Sequence, residues 1–254
     1  MAKNPLIPYA PWLELLPGDW KADRLKDIVP RIVGGGTPSS TDPNFWEDGD
    51  IVWVTPTDFS KAAGGDEIFN SERKITRAGL NASAAVLLPK ETVIMASRAT
   101  IGAVRIAGTE LTTNQGFISF VCDEVKLHHR FLYYVIVGFL GDYFSEIAPG
   151  TTFNEISRGD AKQEPIGFPL LAEQKRITTY LDACCAAIDA VASHSKQTDD
   201  PSRPKGALNR QFETLAAYRK SLIHECVTGQ RRVTDEDVRC AGHSEKSQPT
   251  ERRA

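Results

Sequence analysis

The sequence predicts an α+β fold: a mixed or antiparallel curved sheet with helices, followed by a long-helix coiled-coil region. Three observations carry this. Short apolar runs punctuated by Gly, Pro and Asn extend from Leu25 to about Val121, the pattern of strands and turns. Composition changes after Phe168-Pro169, where Pro marks a boundary and strong helix formers follow. From Ile177 the apolar positions then recur at alternating intervals of four and three, the spacing of a helix–helix seam. The expected units are a mixed sheet-and-helix domain over 1–168, a helical region over 169–229 and a disordered tail over 230–254.

Within the first unit five runs read as strands: Ile51–Val54, Ala85–Leu88, Thr92–Met95, Ala103–Ile106 and Phe117–Val121. Helical spacing follows at Leu127, Phe131, Tyr134, Val135 and Phe139, ending near Gly141, so a helix covers part of the sheet. In the second unit the seam is Ile177, Leu181, Cys184, Ile188 and Val191. A second helical segment repeats it at Leu208, Phe212, Leu215, Leu222 and Cys226, with Arg219 where another apolar residue is due. Residues 194–206, polar and containing Pro201 and Pro204, break the helix. A broken rod and a helical hairpin both satisfy this pattern. From about 230 both charge signs mix with no apolar period, which reads as disorder.

With 254 residues and 41% hydrophobic content the chain can bury a sizeable core. It has no run of roughly 20 apolar residues and no apolar leader after Met1-Ala2-Lys3-Asn4-Pro5, so no membrane association and a cytoplasmic location are expected. The cysteines (Cys122, Cys184, Cys185, Cys226, Cys240) are odd in number and lack CxxC spacing, which fits reduced thiols, with Cys184 and Cys226 as small apolar fillers of the seams. A net charge of −3 argues against nucleic acid as a partner. The average hides a local bias: Ser71 to Arg105 holds six basic residues (Arg73, Lys74, Arg77, Lys90, Arg98, Arg105) against two acids (Glu72, Glu91), a surplus of four.

Catalytic motifs are missing: there is no Gly-x-x-x-x-Gly-Lys, Gly-x-Ser-x-Gly or His-Glu-x-x-His. Adjacent histidines on a helix point about 100° apart, so His128-His129 reads as a surface pair and no metal is assigned. One constellation supports a different class: Asp58 with Glu72-Arg73-Lys74 imitates the carboxylate and Lys set of a self-sufficient Mg-dependent nuclease. Turn residues point instead to binding. In Gly34-Gly35-Gly36-Thr37-Pro38-Ser39 the glycines let backbone approach a partner, and Thr37 or Ser39 donates to phosphate. Ser97–Gly102, Asn114-Gln115-Gly116-Phe117 and Pro149–Phe153 flank the strands. Arg grips guanine bidentately and Asn or Gln grips adenine. The expected base contacts are Arg98, Asn114, Gln115 and Thr152, with Lys74 and Arg77 on phosphates; turn amides and hydroxyls also serve simply to satisfy local backbone.

Taken in order, these segments resemble the specificity subunit of type I restriction-modification systems across almost the whole chain. Trp12-Leu13, Leu16-Pro17, Trp20 and Arg24–Asp27 are similar to the family's opening, followed by the Gly-Thr-Pro-Ser loop, Ile51–Val54, Ile75–Leu80, Ser97–Gly102, Asn114–Phe117 and Gly150-Thr151-Thr152. The helical half adds Pro165-Ile166, Phe168-Pro169, Glu173–Ile177, Tyr180–Asp182, Leu215, Tyr218-Arg219, Leu222-Ile223 and Val227–Gly229. The resemblance implies a non-catalytic, half-size subunit with one target recognition domain and one helical repeat. Its implied partners are double-stranded DNA, the methyltransferase (modification) subunit, the restriction (motor/nuclease) subunit and a second copy of itself. It binds no cofactor on this reading; S-adenosylmethionine, ATP and Mg are expected on partner subunits. A rod over 172–193 of about 33 Å, close to one DNA turn, would space two copies along an inverted repeat.

Overall fold

The computed structural model describes residues 6, 10–61, 65–149, 154–197 and 207–244. In chain order the elements are β1 (Lys21–Arg24), α1 (Leu25–Ile28), β2 (Arg31–Gly34), β3 (Ile51–Val54), α2 (Pro56–Lys61), β4 (Glu67–Ile68), β5 (Lys74–Ile75), α3 (Arg77–Asn81), β6 (Val93–Ala96), β7 (Val104–Ala107), β8 (Thr112–Thr113) and β9 (Phe117–Val121). There follow α4 (His129–Val135), α5 (Gly141–Ile147), α6 (Arg158–Gln163), β10 (Pro165–Phe168), α7 (Leu171–Gln197), α8 (Ala207–Val227) and α9 (Asp235–Ser244). The α+β expectation holds, with mixed sheets followed by long helices.

The main sheet has the order β2-β9-β6-β7-β4. Its first four strands pair antiparallel, and β4 joins β7 in parallel. Central β6 is buried at every residue, which is why Val93-Ile94-Met95 reads as an unbroken apolar run. A smaller sheet, β5-β3-β8, leans on one edge, and β1 pairs with β10 across the chain. One core packs β6 and β9 against α4 and α5, reaching Ile177 and Leu181 of α7 and Leu222, Ile223 and Cys226 of α8. A second fills the other face around Val52, Val54, Phe59 and Phe117.

Four of the five predicted strands form. Ala85–Leu88 does not: only Leu88 makes a bridge, to Leu111, and Pro89 has no N–H with which to extend it. The predicted helix is shorter at its start and longer at its end. It passes from α4 through a π segment (Ile136–Leu140) into α5, with Gly141 in helical geometry (φ −63°) rather than at a terminus. His128 precedes the helix as its N-cap, in extended conformation (φ −67°, ψ 127°). The histidine rings therefore do not diverge: their centroids lie 4.8 Å apart with 38° between planes.

The helical region is a hairpin, not a single rod. Arg219 of α8 reaches Asp189 of α7, whereas Arg231, beyond the end of α8, lies over the ring of Tyr180 near the start of α7, so the two helices run antiparallel. Helix α7 alone has 27 residues, about 40 Å at 1.5 Å per residue. The seam is consumed within the chain at its base, where Ile177, Leu181, Leu222 and Cys226 are buried; Val191 is 50% exposed. Cys184, Ile188, Phe212 and Leu215 are half-buried. Leu208 falls in α8, but its side chain, like residues 198–206 of the insert and Thr152, lies outside the described residues. Burial pushes the thiols of Cys185 and Cys226 up to about 11 and about 12, so both stay protonated at neutral pH.

The tail expected to be disordered carries α9. Thr234 accepts from Asp237 N at 3.2 Å and its own N–H donates to the Asp237 carboxylate at 2.8 Å, a capping box with Asp as the acid. Val233 is buried beneath it, and Arg176 Nε donates to Val233 O at 2.8 Å. Among the described residues no helix is long and apolar enough to cross a membrane.

An ionic cluster ties the sheet unit to the hairpin. Arg130 of α4 donates to Asp182 of α7 at 2.5 and 3.1 Å and to Asp66, beside β4, at 3.1 Å. The Tyr134 hydroxyl donates to Asp182 at 2.6 Å and that of Tyr133 to Asp66. Arg219 of α8 lies 3.9 Å from both Asp66 and Asp189; this is the residue that interrupts the apolar seam. Burial, reinforced by the adjacent carboxylates, pushes both tyrosine hydroxyls well above their ordinary range. Arg130→Met, which strands two part-buried carboxylates, is expected to destabilise the fold by about 3 kcal/mol in urea unfolding. Lys220→Met, which removes the exposed pairing with Asp142, should change it by less than about 1 kcal/mol.

Candidate nucleic-acid interface

The strand directions gather the candidate residues at one end of the main sheet. β6 and β9 run antiparallel, Val93 opposite Phe120 and Ala96 opposite Phe117, so the turn leaving β6 (Ser97–Gly102) and the turn entering β9 (Asn114–Gly116) emerge together. Ser97 N donates to Gly116 O at 2.9 Å. β2 opposes β9 with Gly34 facing Ile118, which brings the Gly34–Ser39 loop to the same end. β3 ends there too, where Asn114 N donates to Val54 O at 3.0 Å.

Side chains knit these loops. Thr37 Oγ1 donates to Gln115 Oε1, and Asn114 Oδ1 accepts from Gly116 N at 2.9 Å, shaping its own turn. The Arg98 guanidinium lies across Gly116, where an added Cβ would meet its Nε at 3.2 Å. Thr37, Ser39 and Gln115 are exposed, and Arg98 and Asn114 half-exposed. Two tryptophans pin the glycine loop. Trp53 Nε1, from β3, donates to Gly36 O at 2.9 Å, and Trp46 Nε1 donates to Ser39 O at 2.8 Å, their rings meeting edge to face at 5.0 Å.

The glycines have a different role from the one read in the sequence. A Cβ on Gly35 would fall 2.0 Å from Asn114 O, and one on Gly36 would fall 2.3 Å from Ala85 N. Their missing side chains admit the chain's own backbone, not a partner's. The glycine loop is thereby locked onto the Asn114 turn.

The basic surplus is divided. Lys74 and Arg77 are exposed on the small sheet and at the start of α3. Arg105 donates to Gly65 O and Phe59 O and serves the fold; Lys90 sits in the turn before β6, at the opposite end of the sheet from Arg98. Two cations join the site that residue type alone did not single out. Arg73 lies 3.6 Å over the Trp46 ring and is exposed. Arg158, at the start of α6, has its guanidinium over Gly34. Each belongs to the interface through a tertiary neighbour, so no local motif marks it.

The groups of the nuclease constellation are committed to the fold. Asp58 is buried; its Oδ2 accepts from Thr55 N at 2.7 Å and Thr55 Oγ1 at 2.6 Å, and its Oδ1 accepts from Glu72 N at 2.8 Å. Its carboxylate is committed to capping α2 and holding the Glu72 turn. Glu72 pairs with Lys61, whose ammonium that hydrogen bond holds above its ordinary pKa, while Lys74 lies on β5 opposite Val52.

Residues 17–197 match the family described as type I restriction modification DNA specificity domain. The chain is 35% identical over 168 residues to the MjaIX specificity subunit of Methanocaldococcus jannaschii, a match covering 65% of this chain and 38% of that one. It is 28% identical over 159 residues to the EcoR124I/EcoR124II specificity subunit of Escherichia coli, covering 61% and 38%. The fold resembles a chain from a type I R-M system solved for its complex assembly and conformational transition (TM-score 0.54, 21% identity, 85% of this chain and 47% of that one). It also resembles the HsdS subunit from Thermoanaerobacter tengcongensis (TM-score 0.53, 20% identity, 85% and 46%). The chain thus spans less than half the length of these relatives. With one family match running from the turn before β1 through the end of α7, the chain belongs to the type I restriction modification DNA specificity domain family.

Proposed function

We propose that this chain is the sequence-reading part of a type I restriction-modification complex: it recognises one half of a two-part DNA site and performs no chemistry itself. The observation that carries this reading is the convergence of Arg98, Asn114, Gln115 and Thr37 on one sheet end, within the span that matches the family. Arg98, Asn114 and Gln115 present the donors and acceptors that discriminate base edges, and Thr152 joins them on this reading. Lys74, Arg77, Thr37 and Ser39 take phosphates, with Arg73 and Arg158 as additional cations. The methyltransferase docks against the helical hairpin, and S-adenosylmethionine, ATP and Mg belong to the methyltransferase and restriction subunits.

Fluorescence anisotropy with duplex DNA chosen from a randomised pool tests the reading. Wild type selects a defined half-site. Arg98→Ala loses about 1–3 kcal/mol of discrimination at one base pair. Lys74→Ala weakens all sequences alike and lowers the salt slope by about one counterion. Equal losses on selected and random DNA for both variants would remove the distinction between base and phosphate contacts.

The nuclease alternative has no support in the hydrogen bonding of Asp58. Asp58→Ala is expected to cost about 2 kcal/mol of stability in thermal unfolding through lost capping, and DNA incubated with wild type and Mg stays intact. Cleavage that disappears in this variant would overturn the assignment.

Self-association is the second part of the proposal, favoured by apolar groups left outside the hairpin: Val191 and Tyr218, 50% and 58% exposed. Two copies, related by a two-fold axis, would read an inverted repeat. Light scattering of wild type together with methyltransferase is expected to give two copies of this chain per complex. Val191→Glu should reduce that to one, and a single copy in the wild-type complex would rule dimerisation out.

A further inference from the structure

We propose that Glu124, His128 and His129, completed by Glu91, form a divalent-metal site of the zinc class at the end of the main sheet opposite the reading loops. The donors arrive from separate segments. Glu124 comes from the connection after β9, His128 and His129 from the entry to α4, and Glu91 from the turn before β6. Ligand atoms of the first three all lie within 4.8 Å of one another. Glu124 Oε2 is 3.8 Å from His128 Nε2, Glu124 Oε1 is 2.9 Å from His129 Nδ1, and Glu91 Oε2 is 4.0 Å from His129 Nδ1. A tetrahedral zinc ion bound at about 2.0–2.2 Å sets its ligands roughly 3.4 Å apart, so closure from separations of up to 4.8 Å needs adjustments of about 1.4 Å or less among the first three donors.

The chemistry of the set fits. Two imidazoles and two carboxylates are the borderline nitrogen and oxygen donors that suit zinc, and the two negative charges balance a divalent ion. The histidine rings are mostly enclosed, 16% and 12% exposed, while the glutamates face solvent at 42% and 50% and leave an entry path. His128 Nδ1 is buried with no hydrogen-bond partner among the described residues, while Nε2 is the ring nitrogen that faces Glu124. Gln174 anchors the base: fully buried on α7, it accepts from His128 N at 2.9 Å and donates to Lys126 O and Pro169 O at 3.0 Å. An ion here would clamp the β6 turn to the β9–α4 connection, about 17 Å from the reading end at 3.3 Å per residue between Thr92 and Ser97.

Calorimetric titration of the full chain, dialysed against EDTA, with zinc chloride and separately with magnesium chloride tests the site, alongside thermal unfolding. Wild type is expected to bind zinc but not magnesium, with Tm raised by about 5 °C or more at saturation. His128→Asn is expected to unfold at the wild-type temperature without zinc but to bind zinc about 100-fold more weakly or worse, since losing a ligand costs at least as much as losing an outer partner. Glu91→Gln, at an exposed position, should weaken binding in the same direction, and Cys240→Ser should leave it unchanged. Zinc binding no tighter than magnesium, or unaltered by both His128→Asn and Glu91→Gln, overturns the site and leaves Glu124 only as the carboxylate that accepts from His129 N at 2.9 Å at the start of α4.

Discussion

The structure depends on Arg130. Its guanidinium sits where the sheet unit, α4 and the helical hairpin meet, and it holds Asp66 and Asp182 at the same time. Burial works against its charge, and the hydrogen bond and charge of Asp182 outweigh that penalty, so the group stays ionised well above the ordinary guanidinium range. Desolvating such a cluster contributes little net stability over an apolar equivalent. What it supplies is orientation, because carboxylates reached by a planar fork and two tyrosine hydroxyls permit one relative placement of the elements. Arg219 brings α8 to the same carboxylate and fixes the hairpin's register against the sheet unit.

That placement rests on apolar packing as well as on charge. The apolar core continues from β6 and β9 through α4 into Ile177, Leu181 and Leu222, so the hairpin and the sheet form a continuous packed body. Apolar packing tolerates small sliding, whereas the Arg130 cluster does not. The length of α7 then sets how far its free end lies from the loops at the sheet end.

The sheet itself has two chemical ends. At one, turns carrying Arg98, Asn114 and Gln115 are locked by backbone contacts through Gly35 and Gly36 and by the indole N–H groups of Trp46 and Trp53. Preordered loops reduce the entropy lost on binding, so more of the contact energy is available for discrimination. At the other, the acidic and histidine side chains of Glu91, Glu124, His128 and His129 gather where the chain enters α4. Strand direction alone separates the two ends, because antiparallel β6 and β9 send adjacent turns to the same edge.

The sequence by itself determined the elements whose signal is local. Val93–Met95 and Phe117–Val121 are apolar runs long enough to become buried strands, and the four-three spacing from Ile177 specifies a helix whatever it packs against. The ordered succession of turn motifs likewise made the family legible. The Thr234–Asp237 capping box was also present in the sequence as the signal for α9, though charge mixing obscured it. Tertiary structure decided the rest, for a physical reason: two-residue strands such as β4, β5 and β8, and β1 paired with a segment some 140 residues away, are stabilised by partners that no local window contains. The same holds for the hairpin, whose base packs Ile177 and Leu181 of α7 with Leu222 and Cys226 of α8, and for Arg73, which Trp46 holds beside the glycine loop. It holds too for His128 and His129, which a helix would splay apart and an N-cap brings together.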